Sequence, residues 1–493
     1  MTAPLVERLP AWATAEACAG LLGARPWFGW LDAAADHAGL GRWSYLVAEP
    51  WAAYRAFGAR TERREGDGPW VAVAGDVLTA LQAELDRCAT PHAPGAPAFQ
   101  GGALGYLAYD WGRVLEPRPA AHHADLGLPD AIFGLYDVVL AFDHANGEGW
   151  IVSTGLPATG AARAARARER LEALQPPPHP RTPPRPLGDA LAADTGTLAP
   201  PSARAPSFPV LGLEGAEHVG LQSTFTRRGY LSAVQRVREY ILAGDIFQAN
   251  LSQRFEAPLA EPAGRLYARL RRNNPAPFGA WLAFDDATLL SVSPERFLRL
   301  AGRTVETRPI KGTRPRGLGP MHDEALSREL SESDKDRAEN VMIVDLLRND
   351  LSRVCRPGTV RVPTLFHLEQ HPTVHHLVST VTGELAPGLG ATDLLRATFP
   401  GGSITGAPKV RAMQVIAELE PTERGPYCGA IGWLGVTGDM DTSIAIRTCV
   451  ARGDRVYFSG GGGIVADSDP DLEYHETLHK VKGIVRTLAG RSS

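Results

Sequence analysis

A proline-rich segment divides the chain and restricts what each side of it can fold into. Eleven prolines fall within the 34 residues from Pro176 to Pro209, among glycine, alanine and serine. Proline lacks the backbone N–H that helices and sheet ladders use, so this composition predicts an extended linker or a long surface insertion over residues 175–212. An amino-terminal domain at residues 1–174, with a substantial sheet, and a larger domain at residues 213–493 are predicted on either side.

Composition and charge exclude several classes of protein. The 493 residues include 51 basic and 55 acidic side chains, and a formal charge of −4 gives no electrostatic reason to expect a nucleic-acid or acidic-membrane partner. No apolar run reaches 18 residues, and no charged leader precedes an apolar segment at the start. The five cysteines form no CxxC pair, which argues against disulfides and thiolate metal sites. These features predict a cytoplasmic protein.

Helical and strand patterns follow one another irregularly along the chain. Helices are predicted over residues 161–174, 228–242, 325–354 and 470–488. Strands are predicted over residues 247–255, 289–292, 428–436, 444–450 and 456–458. Because no regular strand–helix repeat is present, a Rossmann fold or a TIM barrel is not favoured, and the predicted fold class is α/β of the mixed, α+β kind.

Lysine is scarce, which draws attention to each one present. Only five of the 51 cationic residues are lysines, and none precedes residue 311. An arginine stays protonated in proteins whereas a lysine amine can be tuned to lose its proton, so each lysine is a candidate for a role that arginine cannot fill. Codon bias with a few tolerated lysines is the alternative. The five are Lys311, Lys335, Lys409, Lys480 and Lys482.

The predicted last helix carries candidate metal ligands. Its start is marked by Pro470 after a capping aspartate. Glu473, Glu476 and Lys480 then fall on one side of the helix, at spacings of three and four residues. Two carboxylates one turn apart can share Mg²⁺, which takes oxygen ligands and keeps several waters. A solvated helix face with a salt bridge is the alternative.

Two features upstream of this helix suit an anion. Residues 460–463 are four consecutive glycines after a predicted strand, and such a backbone can point its N–H groups at an anion, with tight packing as the alternative. Arg447 lies within an apolar strand pattern, where a guanidinium requires either a protein carboxylate or a bound anion. Neither the glycines nor residues 401–409 match a dinucleotide-binding or Walker A pattern.

Nine short motifs follow one another in the carboxy-terminal part of the chain. They are GDIFQANLSQRF (244–255), SPERF (293–297), PIKGTRPRG (309–317), DRAENVMIVDLLRNDL (336–351), HHLVSTVTG (375–383), FPGGSITGAPKVRAM (399–413), RGPYCGAIG (424–432), IAIRT (444–448) and GGGIVADSDPDLEYHET (461–477). Together they resemble the chorismate-utilising enzymes, a family that includes the large subunits of anthranilate synthase and aminodeoxychorismate synthase and the isochorismate and salicylate synthases. The resemblance is dense over residues 220–488 and thinner over residues 1–170. It implies the fold of anthranilate synthase component I, a two-domain sandwich of β-sheets flanked by helices.

Two positions narrow the choice within this family. Water-adding members carry a lysine where this chain has Gln248, and an amide cannot deprotonate water, so ammonia is the implied nucleophile. At the third position of PIKGT this chain has Lys311, and in this it resembles the aminodeoxychorismate synthases, whereas anthranilate synthases carry alanine there. In that branch the lysine attacks C2 of chorismate and ammonia displaces it by adding at C4, which feeds 4-aminobenzoate and folate synthesis. Conversion of chorismate and ammonia to anthranilate is the alternative.

The resemblance also implies a role for each residue of the site. The catalytic set is Lys311 as covalent nucleophile, Glu295 as its acid/base neighbour, His376 assisting loss of the hydroxyl group, and Gln248. The Mg²⁺ ligands, direct or through water, are Glu339, Glu473 and Glu476. The substrate-binding residues are Gly312, Thr313, Ser403, Tyr427, Arg447, Gly461, Gly462, Gly463 and Lys480.

A partner subunit is implied as well. None of the cysteines lies in a glycine-flanked nucleophile turn of the glutaminase type, and Cys428 lies in a predicted strand. The family pattern therefore implies a separate glutaminase, a glutamine amidotransferase subunit that supplies ammonia to this chain.

Overall fold

The structure of the protein is a computed structural model. It describes residues 3–34, 39–117, 119, 122–179, 186–191, 204–285, 287–370 and 374–490. The helices are α1 Ala15–Leu22, α2 Val77–Arg87, α3 Gly112–Leu115, α4 Gly160–Leu174, α5 Leu187–Ala190, α6 Arg227–Leu242, α7 Ala263–Asn273, α8 Pro320–Glu332, α9 Asp334–Ser352, α10 Ala391–Thr398, α11 Lys409–Leu419 and α12 Pro470–Leu488.

The strands are distributed unevenly among these helices. They are β1 Leu5–Arg8, β2 Gly29–Asp32, β3 Trp43–Val47, β4 Ala52–Phe57, β5 Arg60–Glu65, β6 Val71–Val73, β7 Gly102–Leu107, β8 Ala131–Tyr136, β9 Val138–Asp143, β10 Glu148–Ser153, β11 Phe208–Pro209, β12 Gln222–Ser223, β13 Gln248–Pro258, β14 Phe278–Ala283, β15 Thr288–Ser293, β16 Arg296–Ala301, β17 Thr304–Thr307, β18 Ile310–Pro315, β19 Arg361–Gln370, β20 Val374–Glu384, β21 Gly406–Ala407, β22 Ala430–Gly435, β23 Met440–Ile444, β24 Thr448–Arg452 and β25 Arg455–Ile464.

The strands form two antiparallel sheets. Among the described residues the first has the order β1-β10-β9-β3-β2-β14-β15-β24-β25-β13-β12-β11, with β21 added to β13, and the second has the order β18-β20-β17-β16-β23-β22-β7-β8-β4-β5-β6, with β19 added to β20. Each sheet joins strands from both sides of the proline-rich segment, since β2 pairs with β14 and β7 pairs with β22. The predicted mixed class is confirmed, and the division at residues 174 and 213 stays a prediction.

Alternation along the strands builds a sandwich with helices on its two outer faces. In β3, Tyr45 and Val47 belong to the apolar layer between the sheets, whereas Leu46 belongs to the layer under α1, α6, α7, α11 and α12. In β7, Leu104 faces the central layer and Leu107 the opposite layer, under α2, α9 and α10. The core therefore consists of three apolar layers, one between the sheets and one on the outer face of each sheet.

Three predicted elements were wrong in their extent. The strand predicted over residues 456–458 is β25, which continues to Ile464, so residues 460–463 lie within a strand paired with β13 rather than after a strand. The helix predicted over residues 325–354 is two helices, because Ser333 is extended (φ −64°, ψ 107°) and its side chain accepts the Asp336 N–H at the start of α9. The strand predicted over residues 444–450 is interrupted between β23 and β24, because Arg447 has a φ of +49°. Its guanidinium therefore does not belong to an alternating strand face.

The proline-rich segment is described only at residues 175–179, 186–191 and 204–212, and the remainder of the predicted linker lies outside the described residues. Contrary to the expectation that it holds no helix, it contains α5, which packs on α7: a Cβ on Gly188 would lie 2.9 Å from the Arg265 Cα. Leu191, just after α5, is 2% exposed. The part of this segment at α5 and Leu191, which is free of proline, therefore packs into the core.

Among the described residues, none of the helices combines the length and the apolar character needed to span a bilayer.

Candidate active site

The glycine-rich strand β25 brings the first group of predicted residues together. It pairs with β13 so that Gly463 lies opposite Asn250. A Cβ at Gly463 would overlap the Gln248 amide and lie 3.4 Å from Lys311 Nζ. Glycine is required here because the side chains of β13 and β18 occupy the space of any larger residue. The Lys311 amine and the Gln248 amide therefore both lie beside Gly463.

Glu295 is a buried carboxyl group beside this amine. It follows β15, is 5% exposed, and accepts a hydrogen bond of 2.7 Å from Ser403 Oγ. Burial raises the pKa of Glu295 to about 7, although the Ser403 hydrogen bond and the positive charge of Lys311 act in the opposite direction. A carboxyl group with such a pKa can both donate and accept a proton near neutral pH.

His376 and Thr313 meet across the neighbouring strands β18 and β20. Thr313 pairs with His376 in the sheet, and Thr313 Oγ1 lies 2.9 Å from His376 Nδ1. A bulge between Ile310 and Thr313 allows this approach, and it includes Gly312 with a φ of +89°, a conformation that favours glycine. The bulge re-aims the side chains next to Lys311, as bulges near functional sites do.

Two glutamates of α12 face the same point on the glycine strand. A Cβ on Gly462 would lie 3.0 Å from Glu473 Oε2 and 3.2 Å from Glu476 Oε1. Burial raises the pKa of Glu473, and the charge of Glu476 adds to this effect. Lys480 lowers the pKa of Glu476 through an ion pair of 2.7 Å, and its Nζ also donates to the Gly461 carbonyl oxygen at 2.7 Å. The predicted spacing of α12 thus places a carboxylate pair beside β25.

Glu339 on α9 is the third predicted acidic residue. Burial raises its pKa, the charges of Lys311 and Lys335 oppose this, and the charge of Glu476 adds to it. The described residues contain no cluster of three or more His, Cys, Asp or Glu side chains preformed for a metal. Glu473 Oε2, however, is buried without a hydrogen-bond partner in the described chain. An orphaned carboxylate oxygen fits a hard cation that retains water ligands, as Mg²⁺ does.

The loops that carry Tyr427 and Arg447 lie side by side. The Cys428 N–H donates to the Ala445 carbonyl oxygen at 2.9 Å, and the Ile444 N–H donates to that of Glu295 at 3.0 Å. Burial lowers the pKa of Arg447, and no carboxylate of the described residues pairs with its guanidinium. The structure therefore favours a bound anion over a protein carboxylate for this arginine.

The lysines divide into site and structural residues. Lys409 is structural, because its Nζ binds Asp350 at 2.5 Å and the Thr398 carbonyl oxygen at 2.9 Å. The charge of Lys335, which the site prediction missed, acts on all three predicted metal ligands. Its position four residues before Glu339 on α9 is the signal that could have identified it.

Comparison with known proteins identifies the family of this chain. Residues 37–486 match the model of the family described as chorismate binding enzyme. The chain is 42% identical over 473 residues to aminodeoxychorismate synthase component 1 of Klebsiella aerogenes, covering 95% of each chain. It is 43% identical over 424 residues to anthranilate synthase component 1 of Streptomyces coelicolor, covering 85% of this chain and 79% of the relative.

The fold is shared with a solved structure. Anthranilate synthase component I from Streptococcus pneumoniae superimposes with a TM-score of 0.74 at 30% identity, covering 90% of this chain and 92% of that one. The family match spans most of the sequence, and the fold agrees with it. The chain therefore belongs to the family of chorismate-binding enzymes.

Proposed function

We propose that this chain is the synthase component of an aminodeoxychorismate synthase, converting chorismate and ammonia to 4-amino-4-deoxychorismate for 4-aminobenzoate and folate synthesis. The observation that carries the proposal is Lys311 Nζ, which lies within 3.4 Å of the Cβ position of Gly463 and beside the Gln248 amide. The charge of this amine also acts on the buried carboxyl group of Glu295. The similarity to aminodeoxychorismate synthase component 1 over 95% of the chain supports the same reading.

Covalent catalysis by Lys311 explains how the amino group reaches C4. The uncharged amine forms a bond to C2 of the ring, the two ring double bonds shift, and the C4 hydroxyl group leaves as water after receiving a proton. Ammonia then forms a bond to C4, the double bonds return, and the C2–nitrogen bond to Lys311 breaks. Glu295, with a pKa of about 7, supplies the proton for the leaving hydroxyl and accepts one from the attacking amine. His376 assists the first of these proton transfers.

The remaining predicted residues hold the substrate. The enolpyruvyl carboxylate is bound by Arg447, Tyr427 and those backbone N–H groups of residues 461–463 that do not pair with β13. It supplies the anion that the guanidinium lacks among the described residues. The rest of the pocket is lined by Gly312, Thr313, Ser403 and Lys480. Binding at both ends of the ring orients C2 toward the amine.

Glu339, Glu473 and Glu476 are the residues that would hold Mg²⁺. When bound, this ion supplies positive charge that neutralises the ring carboxylate of the substrate. The orphaned oxygen of Glu473 supports this assignment. Lys335 and Lys480 balance the charge of the three carboxylates.

The ammonia is proposed to come from a separate glutaminase subunit. All five cysteines are buried, and burial raises the pKa of the Cys428 thiol to about 12, so this residue is not a thiolate nucleophile near neutral pH. The relatives named component 1 carry a designation that implies a second component.

Replacement of Lys311 tests the proposal directly. Incubated with chorismate and Mg²⁺ but no ammonia, the unmodified protein is expected to gain the mass of chorismate less one water, and Lys311→Ala is expected to lose this adduct because it lacks the amine. Intact-mass spectrometry measures the gain, and Lys482→Ala is the matched lysine control. An undiminished adduct on Lys311→Ala would place the nucleophile elsewhere.

Anthranilate synthase is the second candidate, because the Streptomyces coelicolor relative is as similar in identity as the aminodeoxychorismate synthases. The product formed from chorismate, ammonia and Mg²⁺ separates the two. We expect 4-amino-4-deoxychorismate by chromatography and mass spectrometry. Direct appearance of fluorescent anthranilate would reject the proposed function in favour of the second candidate.

A further inference from the structure

Arg424, three residues before Tyr427, forms a buried ion pair with Glu420 that the mechanism above does not use. The two residues are 5% and 4% exposed. The guanidinium binds the carboxylate through two hydrogen bonds, from Nε to Oε2 at 2.9 Å and from Nη2 to Oε1 at 2.7 Å. Burial of two charges costs hydration that their attraction offsets only in part, so a stabilising role alone is a weak explanation for this pair.

The ion pair takes the place of a strand beside β13. Strand β21 pairs with residues 248–249 of β13, and β12 pairs with residues 255–256. Between these two pairings the guanidinium donates to the Asn250 carbonyl oxygen at 2.6 Å, and the carboxylate accepts the Ser252 N–H at 2.8 Å. The two side chains therefore satisfy backbone groups that would otherwise be buried without a partner.

The same guanidinium also holds the short turn at Gly402–Ile404. Arg424 Nη1 donates to the Ile404 carbonyl oxygen at 3.0 Å. The residue before it, Ser403, donates its hydroxyl hydrogen to Glu295 at 2.7 Å. Because the carbonyl group and the hydroxyl group belong to adjacent residues of one turn, the place of the guanidinium determines where Ser403 lies relative to Glu295.

Several groups act on the Glu295 carboxyl group. Burial raises its pKa, whereas the Ser403 hydrogen bond, the Lys311 charge and a backbone hydrogen bond from β18, and the Lys480 charge from α12 lower it. The Cys428 thiol faces the carboxyl group from the loop, and the charge of Glu295 raises the pKa of that thiol. A hydroxyl group that donates to the ionised carboxylate stabilises this form, so displacement of Ser403 would raise the pKa of Glu295.

We propose that Arg424 is a positioning residue for the acid/base group of the reaction: with Glu420 it fixes the turn so that Ser403 donates to Glu295. This inference rests on the proposed function for the acid/base role of Glu295. Arg424 acts through Ser403 and not on the reacting atoms, because its guanidinium donates to protein atoms of β13, of the turn and of Glu420.

A direct titration of Glu295 tests this inference. Infrared difference spectra recorded against pH resolve the C=O stretch of a protonated, buried carboxyl group, and the band that Glu295→Gln lacks belongs to Glu295. The measurement needs neither substrate nor turnover. The pH dependence of adduct formation with chorismate and Mg²⁺, followed by intact mass, is the second readout.

Three variants separate a positioning role from a structural one. Arg424→Lys keeps the positive charge, but one ammonium group cannot reproduce the fork that spans the carboxylate, the turn and β13. Ser403→Ala removes the hydroxyl group itself. Arg254→Lys is the matched control, because Arg254 forms another buried ion pair of β13, with Asp125.

Arg424→Lys and Ser403→Ala are each expected to raise the titration midpoint of Glu295 by about one pH unit, the effect of one hydrogen bond lost by a charged group. The pH dependence of adduct formation should move in the same direction. The double variant should move the midpoint no further than Ser403→Ala alone, since Arg424 acts through that hydroxyl group. Arg254→Lys is expected to leave the midpoint unchanged.

A second variant covers the case in which Arg424→Lys does not fold. Arg424→Met combined with Glu420→Gln removes both charges, so that neither is buried without a partner, and it is titrated in the same way. Failure of both Arg424 variants to fold would overturn the proposal, because the residue would then serve the fold.

An unchanged midpoint in Ser403→Ala or in a folded Arg424 variant would overturn the positioning role. A further rise in the double variant, or an equal rise in Arg254→Lys, would overturn it as well, because Arg424 would then act by another route or through a general loosening of the fold. Failure of the proposed function has a different signature, namely that the unmodified protein forms no adduct or releases another product.

Discussion

At the scale of single residues, the site depends on polar groups that are buried with incomplete compensation. Glu295 is 5% exposed, and Glu473 and Gln248 each keep an oxygen without a partner in the described part of the chain. Such groups lower stability, because burial removes their hydration and, for the two orphaned oxygens, no donor of the described residues replaces it. Glu295 and Gln248 lie near Lys311, and such an arrangement is typical of a site in which a ligand supplies the missing interactions.

Replacing Glu295 should reveal the stability cost of its burial. Its pKa is raised from 4.5 to about 7 in the folded protein, so between these pH values the folded state holds a proton that the unfolded state has released. Stability therefore falls as pH rises from 4.5 to 7, by at most about 3 kcal/mol from this group. Glu295→Gln lacks this titration, so it should gain stability relative to the unmodified protein over that range.

Denaturant unfolding at pH 4.5, 6 and 8 measures this difference. The free energy of unfolding of Glu295→Gln minus that of the unmodified protein should increase from pH 4.5 to pH 7 and stay constant above it. A difference that is independent of pH would show that the pKa of Glu295 is not raised by folding.

At the scale of elements, the glycines of β25 determine how closely α12 and β18 approach the sheet. Gly462 leaves room for the carboxylates of Glu473 and Glu476, and Gly463 leaves room for Gln248 and Lys311. The cap of α12 fixes where this helix begins relative to the glycines. Asp469 accepts the N–H groups of Asp471 and Leu472 there. Strand β25 thus lies between the carboxylates of α12 on one side and Gln248 and Lys311 on the other.

Gly462→Ala should weaken Mg²⁺ binding while leaving the protein folded. The new Cβ would lie 3.0 Å from Glu473 Oε2 and 3.2 Å from Glu476 Oε1, so both carboxylates must move. A loss of affinity on the order of tenfold is expected from misplaced ligands. Calorimetric titration of Mg²⁺ measures it in the presence of chorismate. Gly319→Ala is the control, since nothing lies within 4 Å of its Cβ position, and equal affinities for the two variants would argue against Glu473 and Glu476 as ligands.

At the scale of the whole molecule, both sheets are continuous across the two halves of the chain. Strand β2 lies between β3 and β14 in the first sheet, and β7 lies between β22 and β8 in the second. Each half therefore depends on the other for hydrogen-bonded edges and for the apolar layer between the sheets. The site itself is built by elements of the second half, on a sheet that the first half completes.

We expect thermal unfolding to occur in one cooperative transition, because neither half can keep its strands paired when the other unfolds. Scanning calorimetry, with tryptophan fluorescence as a second probe, measures this. Residues 213–493 produced alone are expected to lack this transition. Two separated transitions in the full chain, or a folded isolated fragment, would contradict the prediction.

Much of the site was predictable from the sequence because its motifs are local. The i, i+3 and i+4 spacing of Glu473, Glu476 and Lys480 on a capped helix needs no tertiary information to place them on one side. The mixed fold class also followed from the irregular order of helical and strand patterns, and it is confirmed. The bulge at Gly312 and the left-handed Arg447 could not be predicted, since neither alters the apolar pattern of its strand.

The sequence by itself determined which residue types are available: one lysine in PIKGT, a glycine strand, a carboxylate pair and Gln248 in place of a base. Only the tertiary structure decided which of these residues meet, because β13, β18 and α12 are distant in sequence and converge through sheet pairing and close approach at glycines. It also decided the burial of Glu295, and hence a pKa near 7, since desolvation depends on the surrounding atoms rather than on the chain's own order.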